Sequence, residues 1–227
     1  MRWLALALVF GVACTTPPVD PEGTLERIRG GTMRVGITAS EPWTESTEDG
    51  PAGIEVEIVE RLAEELDAEI EWVPGSEEEL FGALKYSQVD LVIGGLGAKN
   101  PFAKEASLTH PYLTTQVVVA VPESDDVPED ISGLVVAAEP GTEATGVLFK
   151  TDAAINLFED VAEAAGTRAI DNWLLDDLGL VETGVTLTET DHVMAVRLGE
   201  NGWLVRVEKF LLDHAEEIEQ LLAEVEP

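Results

Sequence analysis

An α/β fold built on a parallel sheet is predicted by two observations. Short apolar runs recur as strands, and between them lie segments whose apolar residues repeat at helical spacing. Strands alternating with helices make βαβ units, whose ligands sit at the carboxyl ends of the strands. A third observation marks one such end. In residues 90–112, DLVIGGLGAKNPFAKEASLTHPY, the apolar run Leu91-Val92-Ile93 breaks into Gly94, Gly95, Leu96 and Gly97. No Cβ there keeps a small ligand from the backbone.

The elements follow in order. Residues 1–13 carry one positive charge, Arg2, an apolar run and small residues ahead of Cys14, a segment too short to span a bilayer as an anchor helix. It resembles a bacterial lipoprotein signal, with Gly11 where that pattern usually has Leu, and Cys14 becomes the expected lipidation site. Residues 14–23 then form a polar, Pro-rich tether. A short helix is predicted at 24–29 and a first strand at 33–37, leading into a loop with Trp43. That ring is read either as a ligand-stacking wall or as local packing. After a turn at 48–51, residues 53–66 show helical spacing from Ile58 onward, and 69–73 form a second strand. A helix at 76–86 presents Leu80, Phe81 and Leu84 on one face, and a strand at 89–93 enters the glycine loop.

Asn100-Pro101 is a helix start, with Asn as cap and Pro in the first turn. A short helix to about residue 106 would aim its N–H groups at the glycine loop, a place for an anion. Beyond it the β-branched run 117–122 is a buried strand, 123–130 an acidic loop, and 134–138 a strand ending in Glu139-Pro140-Gly141-Thr142. Residues 154–158 form a strand, 161–165 a stub of helix, and 168–175 a strand passing into a helix. Strands are expected at 184–187 and 193–196, and residues 203–225 form an amphipathic helical region.

The order RVGI, EPW, GIEVEIVERLAEEL, VDLVIGGL, SLTHPY, VVVAVP resembles the family 3 extracellular solute-binding proteins. The resemblance implies a type II, periplasmic-binding-protein-like fold of two α/β lobes joined by two crossover segments, with the ligand between them. Residues 24–115 and 190–227 would form lobe 1 and 116–189 a reduced lobe 2, the first crossover lying near 113–116. It also implies a small polar solute, an amino acid or a related cationic or zwitterionic compound, captured outside the cytoplasm for the permease of an ABC importer. A monomer held to the membrane only through lipid is expected. Carried over by position, Gly94, Gly95 and Gly97 fall in the solute-holding loop, Thr142 at a helix start that contacts ligand, and Asp171 on the carboxylate that pairs with a ligand ammonium. Thr142 also reads as a plain cap, and Asp171 likewise.

The chain departs from the family pattern where a Thr-x-x-Arg pair grips a ligand carboxylate: Lys99 and Phe102 stand there. Phe cannot make the bidentate contact of a guanidinium. Three readings follow. Lys99 or Lys104 supplies the charge, Phe102 forms an apolar wall for a ligand without an α-carboxylate, or Phe102 packs beneath the helix.

Composition sets outer bounds. Among 227 residues, 45 Asp and Glu face 13 Lys and Arg, a formal net charge of −32. Nucleic acid is excluded as a partner on that balance. The dispersed carboxylates read as a solvated surface suited to a saline exterior, where a short Debye length mutes self-repulsion. Cys14 is the single cysteine and the three histidines are scattered, so no metal site is expected. No third glycine completes a dinucleotide fingerprint, and no phosphate loop or Gly-x-Ser-x-Gly elbow occurs. No cofactor is implied, and a binding protein is favoured over an enzyme. The competing functions are a cyclohexadienyl dehydratase-like lyase on the same scaffold, needing a carboxylate grip and a general acid, and a sensory or scaffold lobe without a transport role.

Overall fold

A computed structural model describes residues 18–48 and 50–225. The signal segment and Cys14 lie outside the described residues. The first part of the chain runs α1 (Thr24–Ile28), β1 (Thr32–Ile37), the hairpin β2 (Glu45–Thr47) and β3 (Gly50–Ala52), α2 (Ile54–Glu65), β4 (Glu69–Pro74), α3 (Glu77–Lys85), β5 (Leu91–Ile93) and β6 (Ser107–Leu108). Then follow β7 (Leu113–Pro122), β8 (Val135–Ala138), α4 (Glu143–Leu148), β9 (Ala154–Leu157), β10 (Arg168–Asp171), a 3-10 turn (Asn172–Leu174), β11 (Leu180–His192), β12 (Ala195–Val196), α5 (Asn201–Asp213) and α6 (Ala215–Ala223).

These strands make two five-stranded sheets, β4-β1-β5-β12-β6 and β11-β7-β10-β8-β9. In the first, β1 pairs parallel with β4 and β5. Strand alternation puts Leu91 and Ile93 into a core beneath α2, α5 and α6, and Val92 into another beneath α3 with Leu80, Phe81 and Leu84. The period of two thus explains why both faces of a three-residue strand are apolar. Ser76 and Glu79 close a capping box at the start of α3, as the local sequence Ser-x-x-Glu permits.

The two sheets are joined by β7 and β11, which pair antiparallel with each other from Leu180–Pro122 to His192–Leu113, with register shifts between Glu182 and Val185 and between Thr186 and Thr188. The connection near 113–116 is therefore continuous with the buried strand that follows it. Likewise the strand expected at 184–187 belongs to one long strand ending at His192. In the second sheet β8 runs parallel to β9 and β10. This mixed, two-sheet arrangement is the two-lobe type II periplasmic-binding fold.

Two local expectations differ, and a third region gains detail. Residues 101–106 are successive turns and not a helix: Ala103 and Glu105 N–H groups donate to Asn100 and Phe102 carbonyls three residues back. Residues 161–165 are also turns. The carbonyls of Val161 and Ala162 accept from the buried Arg168 guanidinium at 3.4 and 2.7 Å. The amphipathic region from 203 is two helices, broken at His214, whose Nδ1 lies 2.9 Å from the Phe210 carbonyl.

The segment before α1 is fastened to the first sheet's helices. Asp20 accepts from the N–H groups of Trp203 and Leu25 at 2.9 and 3.0 Å. Buried Glu200 accepts from Glu22 and Thr24 N–H at 3.2 and 3.3 Å, and Arg197 pairs with Glu22 at 2.5 Å.

Candidate functional site

Two adjoining cavities lie where the carboxyl ends of the parallel strands of both sheets meet. One, of about 390 Å³, is bounded by Gly97, Lys99 and Asn100 from the loop after β5, by Glu143 of α4, and by Thr188 to Asp191 of β11. The other, of about 190 Å³, is bounded by Glu139, Thr142, Glu143 and Asp171. They share Glu143, Thr188 and Thr190. A larger groove of about 610 Å³ runs past Thr32 and Glu69, at the amino ends of β1 and β4, the wrong end of the sheet for a ligand in this architecture.

Electrostatically the paired cavities are acidic. Among the described residues lining them, Glu139, Glu143, Asp171, Glu189 and Asp191 are carboxylates, and Lys99 is the one cation. Burial, reinforced by the charge of Glu139, raises the Asp171 carboxyl to about 6. A positive group placed beside Asp171 would relieve both causes.

The glycine loop is organised from within. Glu55, fully buried in the first turn of α2, accepts from Gly94 N–H at 2.6 Å and Gly95 N–H at 3.0 Å and from the Tyr112 hydroxyl. Burial raises the Glu55 carboxyl, with these three donors opposing the shift; burial and the Glu55 charge push Tyr112 up as well. Gly95 has φ +65°, and a Cβ there would stand 2.4 Å from Trp43 Cδ1. At Gly94 it would stand 2.2 Å from Thr38 Cγ2. The loop therefore needs glycine to seat against its own protein.

Trp43, weighed as a ligand-stacking wall or as local packing, is 5% exposed. Its ring lies 4.0 Å from that of His192 and meets Trp173 edge-on at 6.4 Å. Buried His192 has Thr115 Oγ1 2.8 Å from Nε2, while Nδ1 has no hydrogen-bond partner of good geometry among the described residues. Burial lowers this imidazole to about 4, opposed by the Gly95 backbone and Asp191. Phe102, weighed as an apolar ligand wall, packs against Phe81 at 5.7 Å on the edge of the α3 core. That is the packing alternative. Lys104 is not among the cavity residues, whereas Lys99 is.

Of the residues singled out from sequence, Gly97, Lys99, Thr142 and Asp171 come together at the cavities; Trp43, Gly94, Gly95 and Phe102 support them from behind. Thr142 caps α4, accepting from Thr145 N–H at 3.2 Å, and donates its hydroxyl to the Glu139 carbonyl at 3.2 Å. Glu55 escaped notice, although a signal existed. It stands three, four and seven residues before Ile58, Val59 and Leu62, on the apolar stripe of its helix, where a carboxylate needs internal partners. Glu143, Glu189 and Asp191 gave no such signal in a chain so rich in acid.

A sequence profile of the bacterial extracellular solute-binding proteins, family 3, matches residues 33–224. The chain belongs to this family. Among solved structures, this family 3 protein superposes on an ancestral cationic amino acid solute-binding protein with TM-score 0.68 and 23% identity, covering 88% of this chain and 97% of that one. On the L-cystine solute receptor of Neisseria gonorrhoeae, in its unliganded open conformation, it gives 0.69 and 18% over 86% and 92%. These likenesses bear on the fold. A membrane-bound lytic murein transglycosylase F of Vibrio cholerae is 34% identical over 120 residues, 51% of this chain, which spans only 22% of that relative's length. A probable histidine-binding protein of Campylobacter jejuni is 22% identical over 61% of this chain and 56% of its own. Family 3 proteins are extracytoplasmic, and binding of a small solute is the role their membership supports.

Proposed function

We propose that the protein captures a small polar solute bearing positive charge, an amino acid or a related cationic or zwitterionic compound, and delivers it to the permease of an ABC importer. The carrying observation is the pair of adjoining acidic cavities, one with Gly97 and Lys99 beside Glu143 and the other with Asp171 beside Glu143. A ligand touching both sides stabilises closure only by its contacts to each, and the β7–β11 connection provides the hinge. In this reading residues 1–13 are removed as a signal, Cys14 carries lipid, and a monomer is tethered outside the cytoplasm through residues 14–23. Residues 24–115 and 190–227 act as one lobe and 116–189 as the other. Its chemistry is binding without catalysis.

The likeness to transglycosylases over a fifth of their length favours one second reading, a solute-sensing module. Thermal-shift and calorimetric titration against amino acids, polyamines and small organic cations tests the binding role. A saturable rise in melting temperature is expected, and failure of every polar solute to give one would sink it. Uptake of the bound solute by cells with and without the protein separates import from sensing.

A further inference from the structure

We propose that the preferred solute is a small amine carrying no carboxylate, an inference that rests on the solute-binding reading above and narrows it. An amino acid presents a cation and an anion, and a site for it must receive both. Here several of the means of receiving the anion are taken or missing, and the first N–H groups of α4 lie among Glu139, Glu143 and Asp171. The N–H pair of Gly94 and Gly95 is a ready anion cradle, and the protein's own Glu55 carboxylate fills it at 2.6 and 3.0 Å. The turns at 101–106 provide no helix start, and Asn100 Oδ1 already accepts from Phe102 N–H at 2.8 Å. Ala98 N–H donates to the Asp191 carbonyl at 2.8 Å. Across the cleft, Thr145 N–H is held by the Thr142 hydroxyl, and both threonine hydroxyls donate to the Glu139 carbonyl. No guanidinium lines either cavity among the described residues; Lys99 stands alone.

What remains is a field for cations. Glu139, Glu143 and Asp171 surround one cavity, and Glu143, Glu189 and Asp191 stand in the other, where Glu189 and Asp191 each accept one hydrogen bond, from Gln116 and Thr114, and keep further lone pairs for N–H donors. Lys99 would have to hold a ligand carboxylate among these acids, which repel an added anion. Carboxylate acceptors and directional N–H donors match primary ammonium or guanidinium groups. The combined space admits a chain of a few methylenes with such a group at each end.

Matched pairs that differ only by the carboxylate provide the test. Agmatine against arginine, cadaverine against lysine, and putrescine against ornithine are titrated calorimetrically into the full chain at low ionic strength. In at least one pair the decarboxylated member is expected to bind ten-fold or more tightly than the amino acid. Asp171→Asn and Glu139→Gln, each shown folded by circular dichroism, are expected to weaken that amine at least ten-fold. Lys99→Gln is expected to tighten it by removing a like charge. Equal or tighter binding of the amino acid in every pair overturns the inference, as does selective loss of arginine binding on Lys99→Gln, since Lys99 would then be a carboxylate anchor. Binding of a zwitterionic amino acid from the wider thermal-shift panel, with no amine bound, overturns it too while leaving the solute-binding reading intact, whereas silence across that whole panel removes both.

Discussion

At the scale of single residues, Glu55 and Asp171 show how the same side-chain chemistry takes two roles by its surroundings. Glu55 is sealed and given three donors. Glu55→Gln keeps the volume but turns one acceptor oxygen into a donor facing N–H groups, so a loss of about 1–3 kcal/mol is expected in urea unfolding, and Tyr112→Phe should cost about half as much. Asp171 is half-sealed and meets Glu139 with Glu143 nearby, without a fixed cation. Its carboxyl, raised to about 6, contributes stability that is fully present below the unfolded value near 4 and lost as pH rises through 6. Asp171→Asn should therefore stabilise the unliganded protein at pH 7 by up to about 2 kcal/mol after allowance for solvent screening. The gain should vanish below pH 4 in denaturation curves. Such a gain would be the stability cost of a carboxylate serving the proposed binding role.

At the scale of elements, the β7–β11 connection ends on a buried histidine. His192 ends β11, wedged between Trp43 and Thr115 beside Asp191, with Tyr112 6.3 Å away. Its pKa, depressed to about 4, makes its contribution fully present above 6.5 and lost as pH falls through 4, up to about 3 kcal/mol. Comparing wild type with His192→Gln across pH 4 to 6.5 isolates it: the variant's stability should fall less on acidification. The elements themselves were largely legible, since α2, α3, β1, β4 and β5 follow apolar spacing that burial alone enforces. The failures share a cause. Asn100-Pro101 has the local signals of a helix start, yet Phe102 gains more by packing on Phe81. The stub at 161–165 loses its carbonyls to Arg168, seven residues or fewer away in sequence but placed by the sheet. Trp43 beside Pro42 gave no indication of depth, because its burial depends on His192 and Trp173, far along the chain. At the cavities, Gly97, Lys99, Thr142 and Asp171 were reached through the family resemblance; the filling of the glycine cradle by Glu55 was not legible, since it needs the distance between α2 and β5.

At the scale of the whole molecule, a net charge of −32 on 227 residues repels itself wherever ions are scarce. Molar potassium or sodium chloride shortens the screening length to a few ångströms, so the melting temperature should climb by several degrees from low salt to ~1 M. An unchanged or falling melting temperature would remove the saline-adaptation reading. Amine binding should weaken over the same range, so salt separates folding electrostatics from recognition electrostatics in one titration series. The clasp formed by Asp20, Glu22, Arg197 and Glu200 joins the leading segment to one lobe alone. Mechanically, that lobe is the handle and the other is the jaw. Any pull or anchorage applied through the residues before Val19 is borne by the clasp and the first sheet. It leaves β7 and β11 outside the load path, so under the proposed closure an anchor at that end would add no drag.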